Sequence, residues 1–114
     1  MTTIYHMADR DVWAAATARG TYSGTAADAA DGFMHFSTAA QVEESAAKHR
    51  KGAKNLVLLE VDAEVLGTDL RWETARGGDL FPHLYAALDV RKVRAVHDLP
   101  LGPGGQHIFP VLMP

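Results

Sequence analysis

The sequence contains no cysteine. Disulfide scaffolds, Cys-ligated zinc, iron–sulfur clusters and thiol nucleophiles are therefore excluded. No run approaches the roughly 18 consecutive apolar residues of a spanning helix, so no membrane partner is expected. The opening MTTIYHMADRD has neither the basic start nor the apolar stretch of a secretory signal, which makes the cytoplasm the expected location. Positive charge is not in excess: 11 Lys and Arg face 14 Asp and Glu, a formal net charge of −3. A broad phosphate-backbone footprint, and with it a nucleic-acid partner, is not expected. The phosphate loops GxGxxG and GxxxxGK[ST] are missing, as are the GxSxG elbow and the HExxH metal motif. No repeat, heptad or long low-complexity segment is present.

What remains is an ordinary globular composition, 47% hydrophobic and 22% charged over 114 residues. A chain of this length buries roughly two-thirds of its unfolded surface, enough for one core and one domain spanning residues 1–114.

The pattern predicts a strand over Thr3–Met7, with Ile4 and His6 on one face and Tyr5 and Met7 on the other. A helix follows from an Asp9 cap to a Gly20 stop, with Val12, Trp13 and Ala16 as its apolar stripe. The small, polar stretch Gly20–Asp31 reads as a loop, and Gly32–Phe36 as a second strand. A second helix is expected after a Thr38–Gln41 capping box, with Ser37 as the competing cap, a Glu44–Lys48 pair on its surface and cations before Gly52. Leu56–Leu59 is apolar on both faces and predicts a central, doubly covered strand. Leu70–Glu73, Phe81–Leu88 with Pro82 at an edge or strand start, Val90–Leu99 and Ile108–Leu112 complete a mainly extended second half. The fold class is α+β, with two helices in the N-terminal half.

Six histidines stand out. His35 falls at a strand-to-helix junction, where backbone N–H groups can hold an anion or simply be capped. Glu73 ends a short strand before a Gly-Gly loop, either as a functional carboxylate or as a surface partner of Arg71. His83 and Tyr85 are two apart and share a strand face, combining a titratable group with a stacking ring. His6 lies mid-strand, as a core histidine or a ligand contact. His49, His97 and His107 are expected at the surface or a sheet edge, and Trp13 and Trp72 in the core. A His–His–Glu metal triad and a Ser37-based hydrolase are weaker alternatives, since neither has its motif.

Asp31-Gly32-Phe33-Met34-His35-Phe36-Ser37-Thr38 with Gln41-Val42, then Leu70-Arg71-Trp72-Glu73, then Phe81-Pro82-His83-Leu84-Tyr85 form one ordered pattern. It resembles the small bacterial proteins grouped as the domain of unknown function 952 family, from Ile4-Tyr5 to about residue 98. The resemblance implies a split β-sheet similar to that of ADP-ribosylating toxins, poly-ADP-ribose polymerases and RNA 2′-phosphotransferases. It implies a small-molecule nucleotide partner, with NAD as candidate substrate and no tightly bound cofactor; the protein acceptor is unknown. By the same resemblance, His6 would hold a ribose, Tyr85 or Ser37 would lie near nicotinamide, and Glu73 would stabilise an oxocarbenium ion; His35 and His83, from their residue type and position, complete the expected catalytic set. The Ser-Thr-Ser strand of the toxins is missing here, and Glu73, preceded by Arg71-Trp72, does not belong to an ExE or QxE pair. A non-catalytic module that keeps the cleft for a nucleotide or small anion is the second expectation.

Overall fold

The apolar run Leu56-Val57-Leu58-Leu59 lies at the centre of the molecule. The computed structural model describes residues 2–114, of Arg76 the backbone alone. The chain runs β1 (Thr3–Asp9), α1 (Arg10–Arg19), β2 (Thr21–Tyr22), α2 (Ala26–Asp31), β3 (Met34–His35), β4 (Ser37–Thr38), α3 (Val42–His49), β5 (Leu56–Asp62), β6 (Leu70–Thr74), β7 (Leu80–Leu84), β8 (Leu88–Asp89) and β9 (Val93–Leu99). β5 lies between β1 and β9 in an antiparallel sheet of order β4-β1-β5-β9, and its first six residues are buried. A strand covered on both faces has no use for alternation.

Strand alternation divides the core in two. Ile4, Ala8, Val57, Leu59 and Val61 pack with Trp13, Ala16, Tyr22, Met34, Phe36, Leu84 and Leu88. Tyr5, Leu56 and Leu58 pack on the opposite face with Val42, Leu99, Phe109 and Leu112. Each fully buried side chain of this size stabilises by about 1.5–3 kcal/mol, against about 1 kcal/mol net for a hydrogen bond. Apolar burial therefore holds the layers, and hydrogen bonds choose the register.

A second antiparallel sheet has the order β3-β7-β6, and β2 pairs with β8 as a short ribbon. In the second sheet His35 and Arg71 both lie opposite His83, and Glu73 lies opposite Phe81. Residues directly opposite share a face, so His35, Arg71, Glu73, Phe81 and His83 project together. Met34, Leu70 and Leu84 project the other way, into the first core.

Several local expectations are corrected. Gly20–Asp31 is not a plain loop, since it contains β2 and a third helix, α2. Thr25 and Asp28 cap this short helix reciprocally, and Gly32 ends it with φ +83°. Gly32–Phe36 is not one strand: the chain leaves β3, buries Phe36 and enters β4 in the other sheet. Because Ser37 and Thr38 pair with Tyr5 and Ile4, neither caps α3. Gln41 takes the cap position, and of the expected box only the bond from Thr38 N–H to Gln41 Oε1 forms, at 3.0 Å. Asp9 stands at the α1 cap, but its carboxylate is turned to Arg50 at 2.8 Å.

Pro82 sits in the middle strand of its sheet rather than at an edge or a strand start. Its carbonyl accepts from Phe36 N–H, so its nitrogen faces the side on which β3 has ended, and no ladder bond is lost there. Trp72 is 40% exposed, because β6 is an edge strand and only Pro82 stands opposite. Val12 is likewise exposed. Ile108–Leu112 forms no strand; Phe109 and Leu112 pack as irregular chain against the second core. The Glu44–Lys48 pair forms as expected, at 3.2 Å.

Candidate functional site

The seam between the two sheets opens into a cavity of about 490 Å³, within the range of small-molecule sites. His6, His35, Ser37 and His83 lie on its wall, with Asp9, Asp28, Asp31 and Arg50 among the charged neighbours. β1 contributes His6, β3 contributes His35, the crossing into β4 contributes Ser37, and β7 contributes His83.

His6 is buried, and its Nδ1 lies 2.7 Å from the carbonyl oxygen of His35. A carbonyl only accepts, so Nδ1 carries the proton and Nε2 accepts from the Tyr22 hydroxyl at 2.8 Å. Burial lowers the pKa of His6 and outweighs the pull of Asp28, keeping the ring neutral.

His35 is the opposite case. Its Nδ1 meets Asp28 Oδ1 at 2.5 Å and its Nε2 meets Asp31 Oδ2 at 2.9 Å. Both partners are acceptors, so both nitrogens donate. The hydrogen bond to Asp28 is the largest cause of a raised pKa, against a smaller opposing effect of burial. Asp28 also accepts from the backbone N–H of Thr25 at 2.7 Å and of His35 at 3.1 Å. Burial alone would raise the Asp28 pKa, but the His35 bond, foremost, and these N–H groups bring it to about 2. Gly24 makes room for this carboxylate: with φ +92°, an added Cβ would lie 2.5 Å from Asp28 Oδ2.

On the far side of His83, Glu73 Oε1 accepts from His83 Nδ1 at 2.7 Å and from the Tyr85 hydroxyl at 2.6 Å. The Tyr85 bond, then the His83 bond, lower the Glu73 pKa, and the same bond raises that of Tyr85. Arg71 lies over the Tyr85 ring, 4.8 Å from its centroid. Phe33 stacks on His83 with centroids 4.1 Å apart, and also touches the rings of His35 and Tyr85.

Five of the six residues expected from the sequence, His6, His35, His83, Glu73 and Tyr85, thus form one connected group, and the six do not share one cavity wall. Glu73 and Tyr85 lie behind His83, with Tyr85 lining a separate hollow of about 280 Å³. Ser37 is buried and donates to Ser45 Oγ at 3.1 Å. Sequence reasoning missed Tyr22, Asp28, Asp31 and Phe33. The Thr25-x-x-Asp28 capping signature was the available signal for Asp28, and the ordered pattern from Asp31 to Thr38 contained Asp31 and Phe33 without giving them a role; Tyr22 carries no signal outside the fold. Among the described residues, no group of three His, Cys, Asp or Glu side chains is arranged to hold a metal ion.

The result is an antiparallel α+β protein with a histidine–carboxylate network at the seam of two sheets. The chain belongs to the family described as "Protein of unknown function (DUF952)", matched over residues 7–96. It is similar to protein CC0527 from Caulobacter crescentus: the crystal structure is 50% identical over 94% of each chain, with a TM-score of 0.91. The solution NMR structure of CC0527 is 51% identical over 93% of this chain and 91% of that one, with a TM-score of 0.83. No curated protein matches the chain.

Proposed function

We propose that the protein binds NAD or an ADP-ribose-like nucleotide in the seam cavity and acts at ribose C1, by transfer or hydrolysis. The reading treats the two sheets as a split sheet of the ADP-ribosylation type. The observation that carries it is the cavity wall, where a neutral His6, a doubly paired His35, Ser37 and His83 surround a space of about 490 Å³. Asp9, Asp28 and Asp31 share that wall with Arg50 and the His35 imidazolium, three carboxylates against two cations beside His49. Cleavage of a C–N glycosidic bond develops positive charge on the ribose, and a fixed anionic surround stabilises that charge more than the ground state.

Titration with NAD and ADP-ribose, followed by measurement of nicotinamide release, tests the proposal. Binding with turnover supports it, and the lack of both overturns it. One observation favours a second reading, a non-catalytic nucleotide-binding module: Glu73 lies outside the cavity, with His83 between them. Binding without turnover selects the module.

A further inference from the structure

Of the three histidines at the heart of the cavity wall, two have both ring nitrogens occupied. His6 bonds the His35 carbonyl and Tyr22, and His35 bonds Asp28 and Asp31. His83 differs. Its side chain is 9% exposed and lines the cavity, its Nδ1 is held by Glu73, and its Nε2 has no hydrogen-bond partner among the described residues. A buried polar atom without a partner calls for an explanation, and a functional one is an acceptor waiting for a ligand. Because a carboxylate only accepts, Glu73 keeps a proton on Nδ1, so Nε2 is the ring nitrogen left to act as an acceptor. Phe33 stacked on the ring, and the edge of His35 at 5.6 Å between centroids, restrict its rotation.

We infer that His83 is the proton acceptor of the cavity and that Glu73 is its positioning residue, an assignment resting on the nucleotide reading. Glu73 then acts through His83 instead of touching the ribose. In the reaction, the C1–N bond breaks and its electron pair leaves with the nicotinamide nitrogen, neutralising the pyridinium. A water or hydroxyl oxygen forms the new bond to C1, and its proton passes to His83 Nε2. The resulting imidazolium is held by the Glu73 carboxylate, and Tyr85 holds that carboxylate from the other side. This is the logic of an oriented histidine base, where the carboxylate sets the tautomer and stabilises the charged ring without itself taking the proton.

Long-range ¹H–¹⁵N correlation spectra of the histidine rings in the full chain test this, with His83 identified by its loss in His83→Gln. The expected result is a protonated Nδ1 and a bare Nε2 in the free protein, with Nε2 shifting when ADP-ribose is added. A protonated Nε2 in the free protein overturns the assignment. So does an unmoved His83 Nε2 when ADP-ribose shifts the ring signals of His6 and His35. If ADP-ribose shifts no cavity signal, the nucleotide reading falls, and the His83 tautomer alone decides whether the acceptor assignment stands. Where nicotinamide release is measurable, His83→Gln is expected to lower turnover by about 10²-fold or more. Glu73→Gln, which keeps an acceptor but removes the charge, is expected to lower turnover and alter the pH dependence of kcat. A role confined to packing would leave that profile unchanged.

Discussion

The Nδ1 of His6 donates a 2.7 Å hydrogen bond to the backbone carbonyl of His35. β1 belongs to the four-stranded sheet and β3 to the three-stranded one, so this bond ties the two sheets at the cavity. It also decides the His6 tautomer, which makes the Tyr22 hydroxyl a required donor to Nε2.

Tyr22→Phe removes that donor while keeping the ring packed against Trp13 and His6. His6 Nε2 is then a buried acceptor without its partner, since Asp28 Oδ2, at 3.7 Å, is itself an acceptor. The expected cost is about 1–3 kcal/mol of folding stability, read by urea unfolding. A change of only a few tenths would show that Nε2 does not depend on Tyr22.

Asp28→Asn weakens the charged bonds to His35 and the capping bond to Thr25, with an expected cost of about 1.5–3 kcal/mol near neutral pH. The folded-state pKa of Asp28, about 2, is below the ordinary aspartate value of 3.8. Its contribution is therefore present above 3.8 and lost as pH falls through about 2. The stability difference between the wild type and the variant is expected to narrow across that window. A difference that is flat with pH would show that the Asp28 charge contributes nothing.

The sign reverses for His35, whose folded pKa is raised above 6.5 by Asp28. Its contribution is fully present below 6.5 and is lost as pH rises through the folded value. Wild type should exceed His35→Gln in unfolding free energy most clearly at about pH 6, and by less at about pH 9. An advantage that grows with pH would contradict the imidazolium assignment.

Tyr5 holds the C-terminal residues, its hydroxyl donating to the Met113 carbonyl at 3.1 Å and accepting from Met113 N–H at 2.7 Å. Tyr5→Phe removes both bonds while the ring stays in the second core. Amide hydrogen exchange at Met113 is expected to speed up several-fold, in line with about 1 kcal/mol per bond. Unaltered exchange would mean that apolar packing of Phe109 and Leu112 holds this segment without Tyr5.

Much of the scaffold was legible in the residues. The continuous apolar run at Leu56–Leu59 marked the central strand, the alternation of Ile4, Tyr5, His6 and Met7 marked the two faces of β1, and Gly20 marked the end of α1. Short elements were not legible. β3 and β4 have two residues each, too few for a period, and which sheet each joins depends on the strands it meets. Trp72 reads as core by composition, yet an edge strand leaves it exposed.

The site divides in the same way. His6, His35, Ser37, Glu73, His83 and Tyr85 stand out by residue type and by the strands or strand ends on which the sequence pattern places them. Only the tertiary structure decided their states: His6 neutral under Tyr22, His35 charged between Asp28 and Asp31, and His83 set by Glu73 with one nitrogen left open. The physical reason is that a ring nitrogen takes its role from the acceptor or donor opposite it. For His6 that partner lies 29 residues away, across the seam between two sheets whose register no local pattern specifies.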